Sequence, residues 1–155
     1  MKSIKIISGG QTGADRAALD WALAHNVECG GWCPKGRKAE DGPIDPKYPL
    51  KETPSVSYVQ RTEWNVRDSD ATILFSIEPT LTGGSKKTVE FANAHKKPCL
   101  HLCAGREAAA EKLRAFVEEH GVKVLNVAGP RASKEPGVGE FVMSTLDKAF
   151  IDIRG

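Results

Sequence analysis

Ser8-Gly9-Gly10-Gln11-Thr12-Gly13-Ala14-Asp15 sets three glycines beside two hydroxyls, an amide and a carboxylate. An apolar stretch, Ile4 to Ile7, precedes it and an alanine-rich segment follows, so it reads as the turn from a strand into a helix. Glycines there let backbone N–H groups approach a ligand, and the first turn of a helix aims unpaired N–H groups at the same place. The chemistry suggested is anion binding. The spacing is Ser8-x-Gly10-x-x-Gly13, one glycine short of the dinucleotide fingerprint G-x-G-x-x-G. Pro34, Lys35, Gly36 and Arg37 stand where an acid for the ribose belongs. NAD is therefore not expected, and a phosphate or other oxyanion is. The plainer reading is a glycine turn with Asp15 as a first-turn helix acid.

Two further loops carry similar chemistry. In Lys35-Gly36-Arg37-Lys38-Ala39-Glu40-Asp41-Gly42-Pro43-Ile44, Lys35 and Arg37 straddle a glycine. They could close on one anion, while Glu40 and Asp41 could receive ligand donors or act as acid–base groups. The bland alternative is a solvated loop of mixed charge. Thr80-Leu81-Thr82-Gly83-Gly84-Ser85-Lys86-Lys87-Thr88 mimics a phosphate-binding P-loop. The motif G-x-x-x-x-G-K-[ST] would need glycines at 81 and 86, where Leu and Lys stand, so an ATPase is disfavoured. A second anion-receiving helix start remains, or a simple capped helix with Thr82 or Ser85 as the cap. Arg61 and Asn65 could reach the same cleft, and Tyr48, Trp32 or Trp64 could stack on a heterocycle or merely pack. Ala128-Gly129-Pro130-Arg131 could bring one more cation.

Cys99-Leu100-His101-Leu102-Cys103 alternates two thiols and an imidazole on one strand face. The outer two sulfurs would lie about 13 Å apart along an extended strand. A small apolar role inside a sheet is the better reading, and no structural metal is expected. With Cys29 and Cys33, the C-x3-C spacings match neither redox nor zinc-finger patterns.

The elements that must position these loops follow from periodicity. Strands are expected at Lys5–Ser8, within a β-like segment from Met1, then at Val27–Cys33, Ala71–Ile77, Pro98–Cys103 and Lys123–Val127. Helices are expected over Ala14–Asn26, Thr62–Ser69 with Thr62 as N-cap, Ser85 to about Lys96, Arg106–Glu119 ended by Gly121, and Pro136 to about Phe150. Lys35–Thr53 reads as a long polar loop. Alternating strands and helices imply a three-layer α/β Rossmann-like fold: a parallel sheet of about five strands with helices on both faces. All the loops then emerge at the carboxyl edge, where open sheets bind ligands. Strand order is not readable.

The chain has 155 residues, which suits one domain spanning 1–155. With 22 basic and 20 acidic residues the net charge is +2, which argues against a nucleic-acid partner. No apolar run reaches membrane-spanning length, no signal peptide is evident, and a cytoplasmic location with reduced thiols is expected.

The opening motif from Ser8 to Asp20, SGGQTGADRAALD, resembles that of the molybdenum cofactor carrier proteins. So do Pro34-Lys35-Gly36-Arg37, Glu40-Asp41-Gly42, Arg61-Thr62, Asn65-Val66, Ser69-Asp70, Thr82-Gly83-Gly84 and the run from Asn126 to Arg131. That family looks like a circularly permuted branch of the Rossmann-like SLOG superfamily, which also holds phosphoribohydrolases ("lysine decarboxylase-like") and DNA-processing proteins. The resemblance implies a cytoplasmic homo-oligomer, dimer or tetramer, carrying the molybdenum cofactor (molybdopterin) or molybdate. Ligand contacts are expected from Gly9, Gly10, Gln11, Thr12, Gly13, Asp15 and Arg16 of the first loop, and from Lys35, Gly36 and Arg37 of the second. Arg61, Asn65, Thr82, Gly83, Gly84 and Thr88 complete the set. The alternatives are a nucleotide-derivative sensor or an N-glycoside-cleaving enzyme using Glu90 or the Glu40/Asp41 pair. Against the hydrolase motif G-G-x-G-T-x-x-E, Gly83, Gly84 and Glu90 keep their offset, but Lys86 replaces the inner glycine and Thr88 sits one position late.

Overall fold

The computed structural model describes residues 4–151; Met1 to Ser3 of the expected opening β-like segment lie outside the described residues. The elements run β1 (Lys5–Ile7), α1 (Ala14–Ala24), β2 (Cys29–Gly30), β3 (Trp32–Cys33), β4 (Lys51–Glu52), α2 (Tyr58–Arg67) and β5 (Ala71–Ser76), then α3 (Gly83–Ala94), β6 (Cys99–Cys103), α4 (Ala109–Glu119), β7 (Val124–Ala128) and α5 (Val138–Phe150). Five strands form a parallel sheet in the order β2-β1-β7-β5-β6. Helices α1, α4 and α5 pack as one layer and α2 with α3 as the other, giving the expected three-layer Rossmann-like architecture.

The layers follow from side-chain spacing. Ala14, Ala17, Ala18, Trp21 and Ala22 form the buried stripe of α1. Four of the five are alanines, so the helix lies close to the sheet and to α5. Helix α5 returns Val138, Val142, Leu146 and Phe150 at matching intervals. The indole of Trp21 donates to Asp147 at 2.8 Å, so its one polar atom is satisfied at the buried seam. All six residues of β5 are buried, as a strand covered on both faces requires.

The expected single strand over Val27–Cys33 is corrected to two. The chain turns at Gly31, whose φ of 127° is a region side chains avoid and whose added Cβ would stand 2.3 Å from the Ser8 carbonyl oxygen. Beyond it β3 leaves the main sheet and pairs with β4, inside the segment expected to be loop throughout. That segment covers a second small core of Leu19, Cys33, Ala39, Ile44, Tyr48 and Leu50. Helix α2 starts four residues earlier than expected. Ser57 caps it by accepting from the Val59 N–H at 3.2 Å, and the Thr62 hydroxyl, inside the helix, donates to the Tyr58 carbonyl. Helix α3 starts at Gly83, so Ser85 lies inside it and is no cap. Strand β6 is an edge strand with only Leu102 fully buried, so it is less enclosed than a central parallel strand.

Arg37 holds the 35–53 segment together. Its guanidinium donates to the carbonyls of Ile44, Leu50, Asp45 and Tyr48 at 2.8–3.2 Å. These are carbonyls that a non-repetitive loop would otherwise leave unmet. Arg37→Lys keeps the charge and loses the fork, and is expected to destabilise the chain by about 1.5–3 kcal/mol. Urea unfolding reads the loss, and limited proteolysis should cut first between positions 35 and 53. An unchanged midpoint with no new cleavage would remove this role from Arg37.

Candidate functional site

A cavity of about 370 Å³ opens at the carboxyl edge of the sheet. Gln11 and Asp15 enter it from the start of α1, and Tyr58, Arg61 and Thr62 from α2. Gly83, Gly84, Lys87 and Thr88 come from α3, and Gly129, Arg131 and Lys134 from the segment after β7. This is where the topology leaves room. From β1 the chain moves outward to β2, and from β5 it moves outward the other way to β6, so the helices that follow diverge onto opposite faces.

Positive charge dominates the lining. Arg61, Lys87, Arg131 and Lys134 face one carboxylate, Asp15, among the described residues. The start of α3 adds to them. Thr82 stands at the N-cap without a side-chain cap bond, and among the described residues the N–H groups of Gly83, Gly84 and Ser85 meet no protein acceptor. Gly84 leaves open space where a side chain would otherwise stand. The Lys134 ammonium donates to the Thr82 hydroxyl beside this turn. Unpaired N–H groups and the helix dipole make such a turn receptive to an anion.

Arg61 and Asp15 form the floor. The Arg61 side chain is 13% exposed and that of Asp15 5%, with Nη1 to Oδ2 at 3.6 Å. That is too long for a strong charge-assisted hydrogen bond. Nη1 reaches Thr62 Oγ1 at 3.2 Å, while the buried Nε has no partner. An orphaned buried donor costs about 1–3 kcal/mol. Burial pushes the Asp15 carboxyl up to about 6, against the opposing pull of Arg61 and of the backbone N–H of Gln11.

The first loop is not a vacant nest. The N–H of Gly10 donates to Ser8 Oγ at 3.4 Å, that of Gln11 to Asp15 Oδ2 at 3.3 Å, and that of Thr12 to Gln11 Oε1 at 3.1 Å. The N–H of Ala14 meets the Pro130 carbonyl at 3.2 Å. Its glycines make room for protein. A Cβ on Gly9 would strike the Arg61 guanidinium, on Gly10 Leu50 and Ile44, and on Gly13 the backbone of 130–132. The expected cradle of Gly10 to Gly13 thus has the N–H groups of Gly10, Gln11 and Thr12 engaged within the protein, while those of Gly83, Gly84 and Ser85 at α3 meet no acceptor among the described residues.

Of the other residues singled out in the sequence, Gln11, Asp15, Arg61, Thr82, Gly83, Gly84 and Thr88 line the cavity. The remaining ones hold the frame. Asn65 is buried and brackets Trp32, accepting from its N–H at 2.8 Å and donating to its carbonyl at 2.9 Å. Arg16 grips Asp41 through two bonds of 2.9 and 3.1 Å. The hydroxyl of Thr12 donates to Glu40, and Gly36 donates its N–H to Glu52 at 2.6 Å. Lys35 is exposed and away from the cavity, and Arg37 is committed to its four carbonyls. The stacking candidates Trp32 and Trp64 pack edge to face on each other, 4.8 Å apart. The sequence reading missed Lys87 and Lys134, which nothing but their place on the same sheet edge would have marked, and Tyr58.

The acid–base candidates lie elsewhere. Glu90 is exposed on the outer side of α3, 3.8 Å from Lys87. Hydrogen bonds from Ser133 and Thr12 hold the Glu40 carboxyl below its usual range, and Arg16 does the same for Asp41. The described residues bring no three His, Cys, Asp or Glu side chains together.

The raised Asp15 value carries a sign. It rises from 3.8 to about 6 on folding, so ionised Asp15 weakens the fold above that range and has no such effect below it. Asp15→Asn should therefore stabilise the protein at about pH 8 by about 1–3 kcal/mol. The gain should fade as pH falls from about 6 to about 4. Urea titrations across this range measure it, and a gain confined to acid pH would contradict the assignment.

The comparisons agree with this architecture. Residues 6–150 match the model of the circularly permutated YpsA SLOG family. A crystal structure of a "putative molybdenum carrier protein" from Syntrophus aciditrophicus SB is 47% identical, with a TM-score of 0.92 over 96% of this chain and 95% of that one. No curated protein gave a significant match. A matched span that takes in β1 through α5, with a closely superimposable relative of nearly equal length, places this chain in the circularly permuted YpsA branch of the SLOG family.

Proposed function

We propose that the protein is a non-catalytic carrier, and that it holds the molybdenum cofactor (molybdopterin) or molybdate by an oxyanion in the cavity between α2, α3 and the segment after β7. The observation that carries this is Arg61: a largely buried guanidinium lining the same cavity as the uncapped start of α3. Lys87, Arg131 and Lys134 complete an anion-seeking wall. The volume of about 370 Å³ lies within the ordinary range of small-ligand sites, and Tyr58 and Val59 offer an apolar flank for a heterocycle. The name of the Syntrophus relative supports the choice of cargo.

An N-glycoside-cleaving enzyme would need an acid or base at the ligand. The carboxylates singled out for that role, Glu90, Glu40 and Asp41, do not line the cavity. Among the described residues no helix is long and apolar enough to cross a membrane. The carrier would act in the cytoplasm as a dimer or tetramer, the size of which light scattering measures.

Anaerobically purified protein should retain a phosphorylated pterin or bind added molybdate in native mass spectrometry. Arg61→Ala should weaken binding about ten- to a hundredfold, the worth of one charge-assisted contact. Lys87→Ala should weaken it less, while Lys86→Ala, one position along α3 and outside the cavity lining, should leave it unchanged. Equal affinity in all three variants, or no ligand at all, would defeat the carrier reading.

A further inference from the structure

Asp15 is out of place in an anion site. The cavity lining is otherwise cationic or neutral, yet its floor holds a carboxylate whose side chain is 5% exposed, beside the very arginine that an anion would engage. An ionised Asp15 would repel an incoming dianion across a desolvated space, where such repulsion is strong.

We propose that the cavity takes its oxyanion together with one proton, and that Asp15 is the residue that holds this proton. The inference rests on the anion-binding role of the cavity, and adds to it the charge state and class of the ligand.

The geometry supplies the coupling. Arg61 is the nearest counter-charge of Asp15, at 3.6 Å, and both line the cavity. An anion bound between Arg61 and the start of α3 draws on that same guanidinium and brings a like charge close to the carboxylate. Both effects favour the neutral acid. Burial already biases Asp15 toward it. Once protonated, Asp15 changes from a repelling group into a hydrogen-bond donor, able to face a ligand oxygen.

The groups around Asp15 leave it the one carboxylate facing the ligand. On α1 itself stand Arg16, already paired with Asp41, and Gln11 in the preceding turn. Arg61 and Tyr58 face the cavity from α2, Lys87 from α3, and Arg131 and Lys134 from the segment after β7. Glu40 lies behind Arg131, held by Ser133 and Thr12, and its carboxyl is kept ionised by those bonds. No histidine lines the cavity among the described residues. A proton taken up near neutral pH on binding therefore goes to Asp15 or stays on the ligand.

The ligand class follows from this balance. A phosphate monoester can bring its own proton near neutrality, and one proton then lies between it and Asp15. Sulfate and molybdate bring none, and must wait for Asp15 to take one from water. The cavity should thus favour the phosphate end of a pterin over a bare oxo-anion.

Sulfate is the diagnostic probe because it carries no proton in this range. Calorimetric titration of sulfate into the full chain near pH 7.5, in buffers of different ionisation enthalpy, counts protons directly. About one proton should be taken up per sulfate bound, and sulfate affinity should fall about tenfold per pH unit between about 7 and 8.5. Asp15→Asn should take up none, show a flat profile, and bind sulfate more tightly than the unaltered protein at the alkaline end. The unaltered protein alone suffices if that variant folds poorly. Sulfate binding without proton uptake would overturn this inference and leave the carrier role standing. Absence of any sulfate or phosphate binding from about pH 5.5 to 8.5 would overturn both.

Discussion

Strand β7 lies between β1 and β5, and the hydrogen bond from the Ala14 N–H to the Pro130 carbonyl joins the loops that follow β1 and β7. Gly13 allows that contact, since any Cβ there would stand 2.4 Å from the same carbonyl oxygen. Around it the two loops are stitched further. The Ala132 N–H donates to the Thr12 hydroxyl, and Ser133 donates to Glu40. Once these loops are fixed, the start of α1 is filled with protein, and the space left at the sheet edge is the one between α2, α3 and the segment after β7.

Arg61 reaches this space because α2 lies across the carboxyl edge. Asn65 anchors that helix by imitating a neighbouring strand, offering its amide to both backbone groups of Trp32. Behind it, the 35–53 segment forms a second small core instead of a solvated loop, with Arg37 bonded across four of its carbonyls. The polar residues of the second loop thus serve as frame. Their hydrogen bonds run to other parts of the protein, and none of these residues lines the cavity.

The electrostatic result is a site whose components are poorly matched to one another. A buried guanidinium lacks a full complement of acceptors, a buried carboxylate is biased toward its neutral form, and a helix start carries unmet N–H groups. The guanidinium and the helix start are each better satisfied by an oxyanion than by an apolar ligand, while the carboxylate accommodates one only in its neutral form. This pattern suits retention of an anionic cargo. The three carboxylates considered for hydrolysis stand outside the cavity: Glu40 and Asp41 are tied into ion pairs, and Glu90 is exposed beside Lys87.

The strand–helix alternation, the carboxyl-edge position of the glycine loops and the family likeness were all legible in the residues, because each depends on local periodicity or on short motifs. Ala71–Ser76 reads as a buried strand from its own composition, and the alanine stripe of α1 from its own spacing. What the sequence could not reveal was how loops distant along the chain meet. Gly10 and Gly13 look like a ligand nest until Leu50, Ile44 and Pro130 are seen to occupy the space they leave. Arg37 looks like an anion ligand until its own loop folds back around it, and Lys134 like a surface charge until β7 inserts beside β5. Local sequence determined which groups could bind an anion. Only the tertiary structure decided which of their donors remained free, because a donor's availability depends on acceptors far away along the chain.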